Sequence, residues 1–315
     1  MEGRDANREE EHLEIQDHFR RNALIIISSM LRWWKDSGKG KLLVDEIIHS
    51  IFFLGKINTA PYTPERIIGN KEMLVKLREK FPRPFDYYLS HVPKRSPFSC
   101  VMDMMVLLKG QGNEDQIKQS LRDLINDKLS KKKNKRFLVS TTICVSQKST
   151  ENNSVRYYGV SMSAGPNPRR ILVAAACCSA WDEYVSDAVM TYYPDTVRKQ
   201  YFDGTIKLPK GVRCDAFDLS DLDDKDPCKL CRNLFSLQVR TQIEEGEISW
   251  PYGNCAEAES LSNLLKNEKE VKEKTQQKSY NSEDRQRAKD SVLDELKTLL
   301  SEVKFKWKAN DFYNP

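Results

Sequence analysis

Trp250-Pro251-Tyr252-Gly253-Asn254-Cys255-Ala256-Glu257 and, upstream of it, Pro227-Cys228-Lys229-Leu230-Cys231 are the two stretches on which the reading of this chain turns. Each places thiols where a helix should begin. Cys228 and Cys231 are three apart, a spacing that puts both sulfurs on one helical face. Pro227 suits a helix start, where its missing N–H costs nothing. The positive end of a helix favours thiolate, the form that binds metal. Cys255 offers a further thiol at a second helix start, with Asn254 as a good N-cap residue. Together these stretches supply three thiols and the Glu257 carboxylate. That inventory suits a zinc ion with three protein ligands and one open position. Plainer readings stand beside it. Cys-x-x-Cys also reads as half of a structural zinc site or as a redox pair, although the thioredoxin-like βαβ pattern of a redox pair is missing. Glu257 also reads as the third residue of a capping box with Asn254, and Cys255 as a small buried residue.

Working outward, Phe137–Ser146 and Val155–Ser163 are rich in Val, Ile, Thr and Tyr. They read as two strands joined by a hairpin over Gln147–Ser154. Ile171–Cys178 reads as a buried strand or a helix start, Trp181–Tyr192 as a helix, and Val212–Leu219 as a short strand. The helix after Pro227 should run to about Ile243, and the one opening at Cys255 to about Lys274. A last amphipathic helix carries Val292, Leu293, Leu296, Leu299, Leu300 and Val303 on one stripe.

The first 130 residues have helical periodicity. Residues 1–10 are polar and should fray. Helices are expected over Glu11–Lys35, Leu42–Leu54, Lys71–Lys80, Ser99–Leu108 and Glu114–Leu129. Gly38-Lys39-Gly40-Lys41 lacks the spacing and the preceding strand of a phosphate loop, so it reads as an inter-helix turn. His49, among Ile47, Ile48, Ile51 and Phe52, reads as a packed core residue. The expected fold class is therefore α/β. A mostly helical region 1–130 and a basic connector 131–136 precede a mixed domain 137–315, with a central sheet flanked by helices. The connector, Lys131-Lys132-Lys133-Asn134-Lys135-Arg136, reads first as a solvated link, and second as a phosphate-contact patch or nuclear-import signal.

Composition narrows the class. A net charge of +5 is small against 51 basic and 46 acidic residues, so charge alone does not argue for a nucleic-acid partner. Met1–Gln16 is charged and has no apolar core of a secretory signal. The eight cysteines are then expected to be reduced and free for metal or for the core. The longest apolar runs, Ala23–Ile27 and Ile171–Cys178, fall far below the ~18 residues of a membrane span. The expectation is a cytoplasmic protein without a membrane partner, or a nuclear one if the basic run is an import signal.

Asn254-Cys255-Ala256-Glu257 and Pro227-Cys228-x-x-Cys231, with the hairpin at 137–163, resemble the cytidine deaminase-like superfamily. The likeness is to the toxin-type deaminases of bacterial polymorphic toxin systems, which carry Cys-Ala-Glu in place of His-Ala-Glu. It covers roughly residues 137–265. The resemblance implies that Cys228, Cys231 and Cys255 hold Zn2+ and that Glu257 shuttles protons. It implies attack by zinc-activated water on the amine-bearing carbon of a cytosine- or adenine-like ring. Trp250 and Tyr252 would stack on that ring, or serve as core aromatics. The motif order departs from the family: here x-Glu follows Pro-Cys-x-x-Cys instead of preceding it. An order-preserving version would use Cys177 or Cys178 as first ligand, and neither has a Glu two residues on. The implied function is deamination of a nucleoside, nucleotide or nucleic-acid base, as in nucleic-acid editing or antiviral defence. The alternative is a non-catalytic protein with a structural zinc site, serving interaction or regulation, for which Cys214 is a candidate fourth ligand.

Overall fold

Alternation along three strands decides how this protein is layered. The structure, a computed structural model, describes residues 2–129, 137–151, 153–239, 252–308 and 311–315. Strand β1 (Thr142–Gln147) pairs antiparallel with β2 (Tyr157–Val160) on one side and with the later strand β4 (Arg213–Asp218) on the other. β5 (Asp224–Lys225) completes the order β2-β1-β4-β5. Successive side chains point to opposite faces. One face carries Cys144, Ser146, Tyr157, Gly159, Cys214 and Ala216, most of them small. The other carries Ile143, Val145, Tyr158, Val160 and Phe217.

Helix α11 (Ala256–Asn267) lies across β1, β2 and β4 on the small-residue face. The approach is close. A Cβ on Gly159 would stand 2.2 Å from the Ser260 N and 2.5 Å from the Ala256 O, so no larger residue fits without moving the helix. Ser260 Oγ donates to Ser146 Oγ at 2.5 Å, and the amide of Asn263 donates to the Tyr158 carbonyl at 2.9 Å. These bonds satisfy polar groups that burial would otherwise penalise.

The opposite face meets the N-terminal helices. α6 (Pro97–Lys109) packs on β2, and α7 (Glu114–Asp123) supplies Lys118, whose ammonium lies 3.9 Å from the centre of the Phe217 ring. Arg213 of β4 forms a fork with Glu114 at 2.7 and 2.9 Å. The helical first part of the chain thus caps the sheet, and one connected apolar cluster runs from Phe19 to Phe305. This part begins with α1 (Glu2–Ser37), longer than expected because Glu, Arg and Ala are good helix formers. A turn with left-handed Gly38 and Gly40 leads into α2 (Lys41–Lys56), as expected for a plain connection. Short helices α3 (Pro64–Ile68), α4 (Lys71–Lys80) and α5 (Pro82–Tyr87) follow. His49 is buried, stacked on Tyr313 at 3.7 Å between ring centres, and burial pushes its pKa down to about 3. It is a core residue.

A third layer of α8 (Pro166–Ser179), α9 (Glu183–Met190) and α13 (Ser282–Glu302) packs together, with α9 also against α11. Ile171–Cys178 is thus helical. A small sheet pairs β3 (Ile206–Lys207) with β6 (Gln276–Gln277). Between them run α10 (Lys229–Phe235) and, after α11, the short α12 (Lys269–Lys274). The C-terminal tail returns to the first helices: Val92 and Phe312 form a parallel bridge, and Phe305 packs edge-on to Phe53. Among the described residues no helix is long and apolar enough to cross a membrane. The basic run 131–136 lies outside the described residues.

Candidate metal centre

Two helix starts bring the thiols together. Cys228 is the N-cap of α10 and Cys255 the N-cap of α11, both in extended backbone conformation that aims the side chain over the first turn. Cys231 lies one turn into α10 and is buried. The three sulfurs lie within 4.8 Å of one another, with Cys228 and Cys255 at 3.4 Å. Bonds of ~2.3 Å around a tetrahedral zinc give sulfur–sulfur edges of about 3.8 Å. The observed spacing brackets that value, so the set can hold a metal ion.

The electrostatics point the same way. Hydrogen bonds from the Cys231 and Cys255 thiols push the Cys228 pKa down to about 3, and the backbone N–H groups of Cys231 and Leu230 assist against burial. Cys231 and Cys255 are pushed up, first by their bonds to Cys228 and then by burial and the charge of Glu257. One thiolate is thus already favoured, and a cation would replace the two shared protons.

Glu257 sits at the second helical position of α11, buried. Burial, together with the negative charge at Cys228, pushes its pKa up to about 7. Its own backbone N–H, a hydrogen bond with the Cys231 thiol and Lys225 oppose that rise. The capping-box pair with Asn254 does not form, because the helix begins one residue later, at a Cys255 N-cap with no side-chain cap bond. The Glu257 carboxyl lies between the Cys231 thiol and its own backbone N–H. Asn254 is buried, and both polar atoms of its side chain lack a hydrogen-bond partner among the described residues.

Among the described residues, no further His, Cys, Asp or Glu joins the three sulfurs. Cys214 instead lies 3.6 Å from Cys144 across β4 and β1, beneath Ala256. That thiol pair was not visible from spacing, because it depends on strand register. Cys177 and Cys178 lie on α8, outside the cluster. Tyr252 is buried and stacked on Tyr192 at 4.0 Å, so one of its faces is already covered; its hydroxyl accepts from Asn233 at 3.2 Å. Trp250 lies outside the described residues.

The arrangement is a compact three-thiol donor set with a titratable carboxyl at its edge. The chain matches no protein-family model, no curated protein and no solved structure.

Proposed function

We propose that this protein is a zinc-dependent deaminase acting on a cytosine- or adenine-like base, free or within a nucleoside, nucleotide or nucleic acid. One observation carries the reading. Glu257, two residues beyond Cys255, buries its carboxyl beside the thiol cluster, in a hydrogen bond with the Cys231 thiol as well as one from its own backbone N–H. Burying a carboxyl is costly, and this one is buried against the sulfurs. The resemblance of Cys-Ala-Glu and Pro-Cys-x-x-Cys to deaminase motifs supports the same reading.

Cys228, Cys231 and Cys255 would hold the zinc. When bound there, zinc supplies Lewis acidity that activates water near neutral pH. Glu257 does the proton work. Its carboxylate takes the two protons of the attacking water in turn, passing the first to the ring nitrogen and the second to the departing amine. The net change is exchange of an amino group for an oxygen, with release of ammonia. The three thiols come together in this motif order because the first turns of α10 and α11 lie side by side, which supports the reading.

The experiment compares zinc-loaded wild type with Glu257→Gln. Cytosine and adenine nucleosides, nucleotides and single strands are screened for ammonia release. Activity in wild type that falls about 10²–10⁴-fold in Glu257→Gln, with zinc retained, is expected for a proton shuttle. Equal activity in both would remove Glu257 from that role. Silence in both would favour the non-catalytic zinc protein.

A further inference from the structure

The segment Lys304-Phe305-Lys306-Trp307-Lys308 alternates cation and aromatic, and the structure keeps that alternation. Phe305 is buried against Phe53 and Trp307 is half-buried, while Lys304, Lys306 and Lys308 are exposed. None of these three lysines has an acidic partner among the described residues. Beside them opens a groove of about 540 Å³. Leu300 and Phe305 line it together with the Trp307 indole, and Lys297, Lys306, Lys308 and His91 stand around them. Trp307 is held in place: its Nε1 donates to the Asp311 carbonyl at 3.0 Å and its ring packs edge-on against Phe312. Among the described residues Asp311 is the one acidic member of the lining, and Lys297 is offset by Asp294 at 2.9 Å.

An ordinary solvated charge run has neither an apolar floor nor a fixed aromatic wall. A groove for an acidic peptide would not need a ring held ready for stacking. Cations along a rim beside a braced indole match what a single nucleic-acid strand presents: phosphates at regular intervals and flat bases between them. We propose that this groove binds single-stranded nucleic acid, with Lys306 and Lys308 on phosphates at its rim, Lys304 on a phosphate just outside it and Trp307 stacked on a base. The proposal goes beyond the reading of the protein as a deaminase, because it concerns a surface separate from the thiol cluster. It rests on different residues, so strand binding and ammonia release are measured separately and each can fail alone.

The test is fluorescence anisotropy of the full chain with labelled twelve-nucleotide single strands of U or dT, with the matching duplex and with an oligoglutamate of equal charge as competitors. Wild type is expected to bind the single strand more tightly than either competitor. The triple variant Lys304→Gln/Lys306→Gln/Lys308→Gln should lower the salt slope by about 2, at ~0.7 for each phosphate that a lysine no longer neutralises. Binding should quench indole fluorescence, and that quench should be missing in Trp307→Phe, which keeps an aromatic ring for folding. A thermal melt of each variant checks that it is folded. Unchanged affinity and salt slope in the folded triple variant would overturn the proposal. Oligoglutamate competing as well as the oligonucleotide would overturn it in favour of an acidic protein partner.

Discussion

Glu259→Gln is the substitution whose outcome the packing specifies most closely. Glu259 lies one helical turn into α11 and is buried. Its Oε2 accepts from the Val160 N–H at 2.9 Å. Burial pushes its pKa from 4.5 up to about 7, with the Arg95 guanidinium pulling the other way and Asp103 adding to the rise. The folded value lies above the unfolded one. The folded chain therefore keeps a proton that the unfolded chain loses between pH 4.5 and 7. This group's contribution is favourable below about pH 4.5, declines up to about pH 7, and stays lost above that. At about 1.4 kcal/mol per pH unit, the decline amounts to roughly 3 kcal/mol. Gln stays neutral throughout, and its carboxamide oxygen can still accept from Val160. Urea unfolding at about pH 5 and about pH 8 is the assay. Glu259→Gln should be close to wild type at the lower pH and more stable at the higher one by up to about 3 kcal/mol. Glu257 is present in both proteins, so its own titration cancels in the comparison. Equal losses in both proteins between the two pH values would refute the reasoning, as would a variant less stable at the higher pH.

Gly159→Ala should push α11 off the sheet, because the new Cβ meets backbone atoms at 2.2 and 2.5 Å. The expected cost is about 3 kcal/mol in urea unfolding, with weaker zinc affinity in a competition titration because Cys255 rides on that helix. Arg95→Met should cost about 3 kcal/mol, because it removes the cation between Glu46, at 2.8 and 2.9 Å, and Asp103. Burial alone would raise the Glu46 pKa, yet Arg95 holds it below its usual 4.5. Wild type should therefore lose that part of its stability as pH falls below about 4.5, and Arg95→Met should show less of this acid sensitivity in parallel melts.

The parts that were legible from sequence are those whose local chemistry is also their structural reason. Pro227 and Cys228 marked the start of α10, and Cys255 marked α11. The Val-, Ile- and Tyr-rich runs marked the hairpin of β1 and β2. Val212–Leu219 became β4, and the leucine stripe became α13. Ile171–Cys178 stayed ambiguous because a helix buried on all sides has no polar face and so no period to read. α10 stops at Phe235, with Ser236 in the left-handed conformation, although the residues up to Ile243 are compatible with a helix. The helix from Cys255 breaks at Glu268 into α11 and α12, for which no proline or glycine gave a signal. The convergence of Cys228, Cys231 and Cys255 was visible as two capped helix starts. The start of α11 at a Cys255 N-cap was not, because Asn254 is by residue type the better cap. The small face of Cys144, Ser146, Gly159 and Ala216 on which α11 rests needed strand register, and spacing along the chain does not supply it.

Zinc K-edge X-ray absorption on the purified, zinc-loaded chain reads the ligand set of the metal itself. Three thiolates with an open position should give three sulfur neighbours at about 2.3 Å and one oxygen or nitrogen near 2.0 Å, at one zinc per chain. Replacing Cys255 with Ser should reduce the sulfur count and the affinity together. A shell of four sulfurs, or a chain that retains no zinc, would contradict the account.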